Sequence, residues 1–431
     1  MAAIGRREAT TAAALAVAIL CSGVERRALA SDPLNSSDRP TNETGTRARE
    51  TAGRNDFNLV PVAGGSTDVG IGGGYFMGLA RRDPGYDPYL WNIESSGFVS
   101  FKPRDGGGVL VPYQDIYAKL TVPRFWARSL RLELRPSYTA ETTIRYYGLG
   151  NASSAAVPAQ APATYLEYGR VHPQVEIDLR WSLADHLVGR TGVRYVQNWI
   201  QTTESSRLAY DMRTGSDEVR RLLGGTAAHA VALFWYGLQW DDRDNEASTH
   251  EGMFHALIVR LSPGGAGMFP YRYAETTATA RVFVPLWKPR VTLAARVVGD
   301  VLFGDPPFYE LARFNDTYAI GGTTGIRGVP AGRGYGKVKV LGNVELRTEL
   351  VSFHALGKPL IFGITAFLDG GRVWADTSSQ PALDGSGLGL RYGTGGGVRI
   401  QSDTSFVMRA DLAWSPDATP AGAYVAAGQM F

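Results

Sequence analysis

The chain holds a single cysteine, Cys21, and nowhere carries an apolar run long enough to cross a bilayer as a helix. The best candidate, "TTAAALAVAIL", falls short of the roughly 20 residues that a spanning helix needs. Charge of one sign is also missing. With 44 basic and 41 acidic residues the formal charge is +3, which is no footprint for nucleic acid. Histidine is scarce, limited to His172, His186, His229, His250, His255 and His354. None stands in an H-x-S or G-x-S-x-G arrangement that would arm a serine. Only His250 and His255 lie close together, and they differ in strand parity, so no metal set and no cofactor are expected. The glycine clusters "GIGGGYFMG" and "GTGGG" precede no helix and no G-K-[ST], which removes a phosphate loop. An outer-membrane hydrolase remains only a remote alternative.

The first residues explain where the cysteine and the apolar run belong. Arg6 and Arg7 precede that run, and Ala28–Ala30 offers small residues for cleavage, the pattern of a secretory signal peptide over 1–30. This segment holds four arginines and two glutamates, so its removal takes the charge from +3 to +1 and leaves no cysteine. Residues 31–56 are polar, without aromatics or apolar period, and read as a disordered periplasmic lead-in. The remainder, 57–431, is expected to form one β-barrel.

What fills that remainder is alternation. In "KVKVLGNVELRTEL", Val338, Val340, Val344, Leu346 and Leu350 share one face, while Lys337, Lys339, Glu345, Arg347 and Glu349 share the other. A strand between two media has this period of two. "QVEIDLRWSL", "SLRLELR" and "SFVMRADLAW" repeat it. Sixteen such segments can be marked, from 57–63 to 422–430. Brief turns such as "LADH" and "WKP" alternate with long loops such as 203–227 and 303–336. Short turns on one side and long loops on the other describe a transmembrane antiparallel β-barrel in the bacterial outer membrane. A soluble sandwich would bury the apolar rows, but its solvent face would seldom place tryptophan and tyrosine so near strand ends. Charge-rich opposite faces fit a wide polar lumen.

Five motifs, in order, carry a resemblance. "YYGLGN" (Tyr146 to Asn151), "WDDRDN" (Trp240 to Asn245), "GGTTGIRGV" (Gly321 to Val329), "GNVELR" and "FLDGGRVW" (Phe367 to Trp374) resemble motifs of the BamA/TamA-type bacterial surface antigen superfamily. The resemblance covers about residue 57 to Phe431. It implies a barrel of about sixteen strands whose sixth extracellular loop folds back into the lumen, and a role in inserting, assembling or translocating polypeptide or lipid. A passive diffusion porin for small solutes is the alternative. The arginine of R-G implies a lumen lock: Arg327 and Gly328 against Asp369, with Glu345 or Glu349 as second acid, shaped by the loop glycines Gly321, Gly322 and Gly325. Asp242, Arg243 and Asp244 match the family's periplasmic turn, and Phe431 matches its C-terminal assembly signal. Val329 stands where the family has an aromatic. The family's POTRA domains are too large for Ser31–Asp56, so a barrel-only member is expected. Expected partners are outer-membrane lipid and lipopolysaccharide, the barrel assembly machinery during biogenesis, and a polypeptide client.

Overall fold

The computed structural model describes residues 53–86, 88–104, 107–126, 130–246, 248–265, 267–288, 290–314, 318–355, 358–402, 406–417 and 421–431. The expected signal segment, 1–30, and residues 31–52 of the expected lead-in lie outside them. Sixteen spans cross in antiparallel order. The first eight are β1 (Arg54–Ser66), β2 (Gly70–Arg82), β3 (Trp91–Pro103), β4 (Tyr113–Val122), β5 (Leu130–Arg145), β6 (Glu167–Val171, resuming as Gln174–Ala184), β7 (Leu187–Gln201) and β8 (His229–Asp241). The second eight are β9 (Gly252–Ser262), β10 (Tyr273–Trp287), β11 (Val291–Gly304), β12 (Val338–Ala355), β13 (Lys358–Trp374), β14 (Arg391–Ser402), β15 (Phe406–Trp414) and β16 (Gly422–Ala427). Pairing of β1 with both β2 and β16 closes the sheet.

The alternation sorts side chains as a barrel in lipid requires. On β12, Val340, Val344, Leu346 and Leu350 are exposed outward, whereas Lys339, Asn343 and Glu345 are buried in the lumen. On β15, Leu412 and Trp414 face out and Arg409 and Asp411 face in. Closure gives every span a neighbour on both sides, that of β1 with β16 over two residue pairs only, where an open sheet would present whole edges to the hydrocarbon. No helix among the described residues is long and apolar enough to cross a membrane.

Three features differ from the sequence reading. The first strand starts at Arg54 rather than Phe57, because Arg54 to Asp56 pair with Arg82 to Ala80, and Arg82 Nε bonds Asp56 Oδ2 at 2.5 Å. The long loop 203–227 holds two helices, α1 (Arg207–Thr214) and α2 (Asp217–Leu223), capped by Ser206 and Ser216. Each is only about two turns, too short for a helical period to stand out in the sequence. The last strand stops at Ala427 rather than 430. Gly428 takes φ +85, a left-handed turn that glycine adopts without strain, and the chain leaves the wall for the lumen.

The loops close the outer end. Leu208, Leu222 and Leu223 of the helices pack with Phe308, Tyr309, Leu311, Tyr335 and Tyr146 in one buried cluster. Burial of apolar surface is what holds this cap together. His229 Nε2 and Tyr309 Oη lie 2.9 Å apart beneath it, and the Arg170 guanidinium stacks 3.7 Å from the Tyr309 ring centre.

Candidate functional site

The sixth long loop, 305–337, turns into the lumen. Its descending hairpin is compact because the backbone bonds to itself: Ile326 N to Ile320 O at 2.8 Å and Gly322 N to Val329 O at 2.8 Å. Ile320, Ile326 and Val329 are fully buried against Val298, Leu341 and Val373 of the wall. Val329 therefore packs where a larger aromatic was the family pattern. Two glycines provide left-handed backbone, Gly322 at φ +86 and Gly328 at φ +89. Gly321 and Gly325 serve close approach instead. A Cβ on either would stand 2.3 Å from a loop carbonyl.

Arg327 is fully buried at the bottom of the hairpin. Its Nε and Nη2 fork onto Asp369 Oδ2 and Oδ1 at 2.8 and 3.0 Å, and its backbone N donates to Oδ2 at 3.1 Å. Nη1 donates to Glu345 Oε1 at 2.7 Å and reaches Asp411 Oδ2 at 3.3 Å. The Phe367 ring lies under the guanidinium, 3.4 Å from ring centre to Cζ. A planar fork on a carboxylate with an aromatic face below is the geometry arginine suits and lysine does not. The wall also holds the loop backbone. Arg409 Nη2, Arg296 Nη2 and Asn343 Nδ2 donate to the carbonyls of Thr323, Thr324 and Gly325 at 3.1, 2.6 and 2.9 Å.

The structure thus brings Arg327, Gly328, Asp369 and Glu345 together. It does not bring Glu349. Parity places Glu349 on the right face but at the wrong height, about 13 Å farther along β12 at ~3.3 Å per residue. There it accepts from Gln401 Nε2 at 2.6 Å and lies 2.9 Å from His250 Nε2. Asp411, Phe367, Arg296, Asn343 and Arg409 are site residues that the sequence reading does not single out. All five carry the same lumen parity as their charged neighbours, which is the signal that could have found them, and Gly393 shares the parity of Arg391 and Arg399 among the glycines that make lumen space. Gly393 lets the loop approach: a Cβ there would stand 1.8 Å from Arg327 O.

The hairpin also touches both sides of the sheet closure. Gly328 N donates to Tyr424 Oη on β16 at 2.9 Å, and Ala331 N points to Asp68 Oδ1, in the turn after β1, at 3.4 Å. That closure is narrow. β1 pairs with β2 from end to end, but with β16 only at Gly65–Val425 and Ser66–Tyr424. One further bond, Thr67 N to Ala423 O at 3.1 Å, adjoins them. Beyond Ala427 the chain runs inward, and Met430 and Phe431 pack on Phe283 and Ala294. The Phe431 ring sits between Arg296 and Arg347, 5.0 and 5.1 Å from their Cζ atoms.

The turn between β8 and β9 crosses the periplasmic mouth. Asp241 holds Arg243 through two bonds of 2.8 and 2.7 Å, Asp242 Oδ1 accepts from Met253 N at 2.5 Å, and Asp244 Oδ1 accepts from His250 N at 2.9 Å. So shaped, the turn brings Ser248 Oγ to 3.1 Å from Gln401 Oε1 on β14. Asp244 first, then Glu349, lifts the His250 pKa to about 9 and keeps the imidazole charged.

A sixteen-stranded outer-membrane barrel with its sixth loop in the lumen is the class that these features define. The Omp85 superfamily domain model matches residues 113–431, and the chain belongs to that superfamily. Among solved structures it is similar to BamA from Haemophilus ducreyi lacking POTRA domains 1–3, with a TM-score of 0.58 and 14% identity over 87% of this chain and 70% of that one. It is also similar to CdiB from Escherichia coli, with a TM-score of 0.54 and 13% identity over 86% of this chain and 62% of that one. At such identities the likeness is one of fold. No curated protein matches the chain.

Proposed function

We propose that this protein helps to insert, assemble or translocate polypeptide or lipid by parting its wall between β1 and β16, with the sixth loop as the lock that holds the wall shut. The observation that carries this reading is the seam. β1 and β16 share only two residue pairs at the outer end, while every neighbouring ladder is longer. The loop that fills the lumen also bonds both flanks of that seam, through Tyr424 and Asp68. Membership of a superfamily that resembles assembly and secretion barrels points the same way. In this reading 1–30 is the export signal, 31–52 a lead-in, and Phe431 part of the assembly signal read during biogenesis. The surrounding lipid and lipopolysaccharide, the assembly machinery and a polypeptide client are the partners.

A diffusion porin is the weaker reading, because the loop cap, the lumenal hairpin and the periplasmic turn stand in series across the pore. The test is a Thr67→Cys, Ala423→Cys pair, placed where backbones bond across the seam. The disulfide should abolish client assembly while leaving the barrel inserted, and reduction should restore it. Full activity in the locked protein, or solute flux as the sole phenotype of a null strain, would favour the porin.

A further inference from the structure

The hairpin of β12 and β13 runs past β11 at the periplasmic end. Among the described residues the ladder of β11 with β12 stops where Val291 stands opposite Thr348, and one more bond joins Glu349 N to Arg290 O at 2.8 Å. The ladder of β12 with β13 goes on until Ala355 stands opposite Lys358. Residues 350–355 therefore have a partner strand on one side only, over about 20 Å at ~3.3 Å per residue. Trp287, at the end of β10, is exposed and marks the membrane interface above this tip, as aromatic girdles do.

The open edge is of the kind that takes a strand. In an antiparallel ladder, successive residues turn their N–H and C=O to opposite sides. Pro359, opposite His354, has no N–H to give to β12. His354 and, two residues back, Ser352 thus direct their backbone groups to the open side. The side chains alternate as well. A register shift between Glu349 and Val351 leaves Leu350, Val351 and Phe353 on the outer face and Ser352 and His354 on the inner one, and the three apolar side chains are exposed. Open edges are ordinarily blunted by charge or proline. That of β1 is, by Arg54, Asp56 and Pro61. Residues 350–355, "LVSFHA", hold no lysine, arginine, acid or proline.

We infer that residues 350–355 are a docking strand for an extended segment of the polypeptide client, which adds beside β12 in the space below β11. The inference rests on the function proposed above and gives the client a holding place apart from the seam. Residues opposite one another on two strands share a face. The segment must therefore alternate too, apolar beside Val351 and Phe353 and polar beside Ser352 and His354. Residues 31–52 do not fit, for they contain Pro33 and Pro40 and no apolar alternation. A second copy does not fit either. The two-fold axis of an antiparallel pair stands normal to the sheet, so it would turn that copy upside down in the bilayer.

The probe is a short peptide alternating leucine and threonine between terminal lysines, with a fluorophore and a photo-crosslinker, titrated onto the protein in phosphatidylcholine nanodiscs. Saturable binding by anisotropy is expected, with crosslinks to 350–355. Ser352→Pro removes one N–H at the open edge and no bond to β13. It should weaken binding about tenfold while the barrel stays heat-modifiable, and Ser352→Thr should bind as wild type does. Should the proline variant fail to fold, the same peptide N-methylated on alternate amides tests the wild type, and it should not bind. Equal binding of the N-methylated peptide, or of the probe to empty nanodiscs, would overturn the inference in favour of adsorption to an apolar surface. Crosslinks to β1 would overturn it in favour of the seam. The locked Thr67→Cys, Ala423→Cys protein should still bind the peptide, and loss of binding there would also place the site at the seam. Full client assembly by the locked protein, with the peptide still bound, would overturn the seam and not the docking strand.

Discussion

Arg327 has three acids within reach, and the energetics of that cluster lie in what happens when it is broken. A buried ion pair adds little over a well-packed apolar substitute, but loss of one partner strands the other and costs about 3–5 kcal/mol. Arg327→Ala and Asp369→Ala should each free the hairpin, seen as faster protease cleavage within 305–337 and a lower unfolding temperature. The double variant should cost less than the sum, because neither leaves the other's orphan. Strict additivity would mean that the pair is not coupled. Gly393→Ala tests the fit from the other side. Its Cβ would collide with Arg327 O, so the loop should be cleaved readily while the barrel stays heat-modifiable. Cleavage at the wild-type rate would show that the wall yields instead.

At the scale of elements, β16 sets the behaviour of the seam. It spans only Gly422 to Ala427, and Pro61 in β1 lacks an N–H for the ladder. Tyr424 adds a side-chain bond from this strand to Gly328. Tyr424→Phe removes that bond alone, worth about 1 kcal/mol, and leaves Arg327 on its acids. Faster amide exchange is expected in β1 and β16, with β8 and β9 unchanged. Uniform exchange across all four strands would detach the loop from any role at the seam.

For the whole molecule, both ends of the lumen are closed, the outer by the loop cap and the inner by the turn 242–251. The inner closure depends on His250, whose pKa rises from an ordinary ~6.5 to about 9. A raised pKa contributes stability that is complete below the unfolded value and lost as pH climbs through the folded one. The turn should thus be held firmly up to about pH 6.5 and loosen progressively towards about pH 9. Limited proteolysis across this range should show wild type opening with pH, and His250→Gln cleaved readily throughout. A flat wild-type profile would assign the closure to Asp244 and Asp241 alone.

Alternation determined much of this by itself. A chain between lipid and a polar lumen must change side at every residue, so strand number and facing can be read along it. The inward Arg327 on Asp369, with Glu345 or Glu349 as second acid, comes only with the family resemblance of the loop. Parity, however, says which face and not which height. Glu349 shares a face with Glu345 and meets His250 instead. Nor can a local pattern report what closure brings together. Asp411 lies 84 residues from Arg327, and Ser248 lies 153 from Gln401, yet both pairs touch because the sheet curves round on itself. Only tertiary structure decided that the last residues leave the wall, since Gly428 and the arginine pocket around Phe431 outweigh three more residues of ladder. The seam is narrower than that turn requires, for β1 already leaves β16 at Val425, two residues before the strand ends.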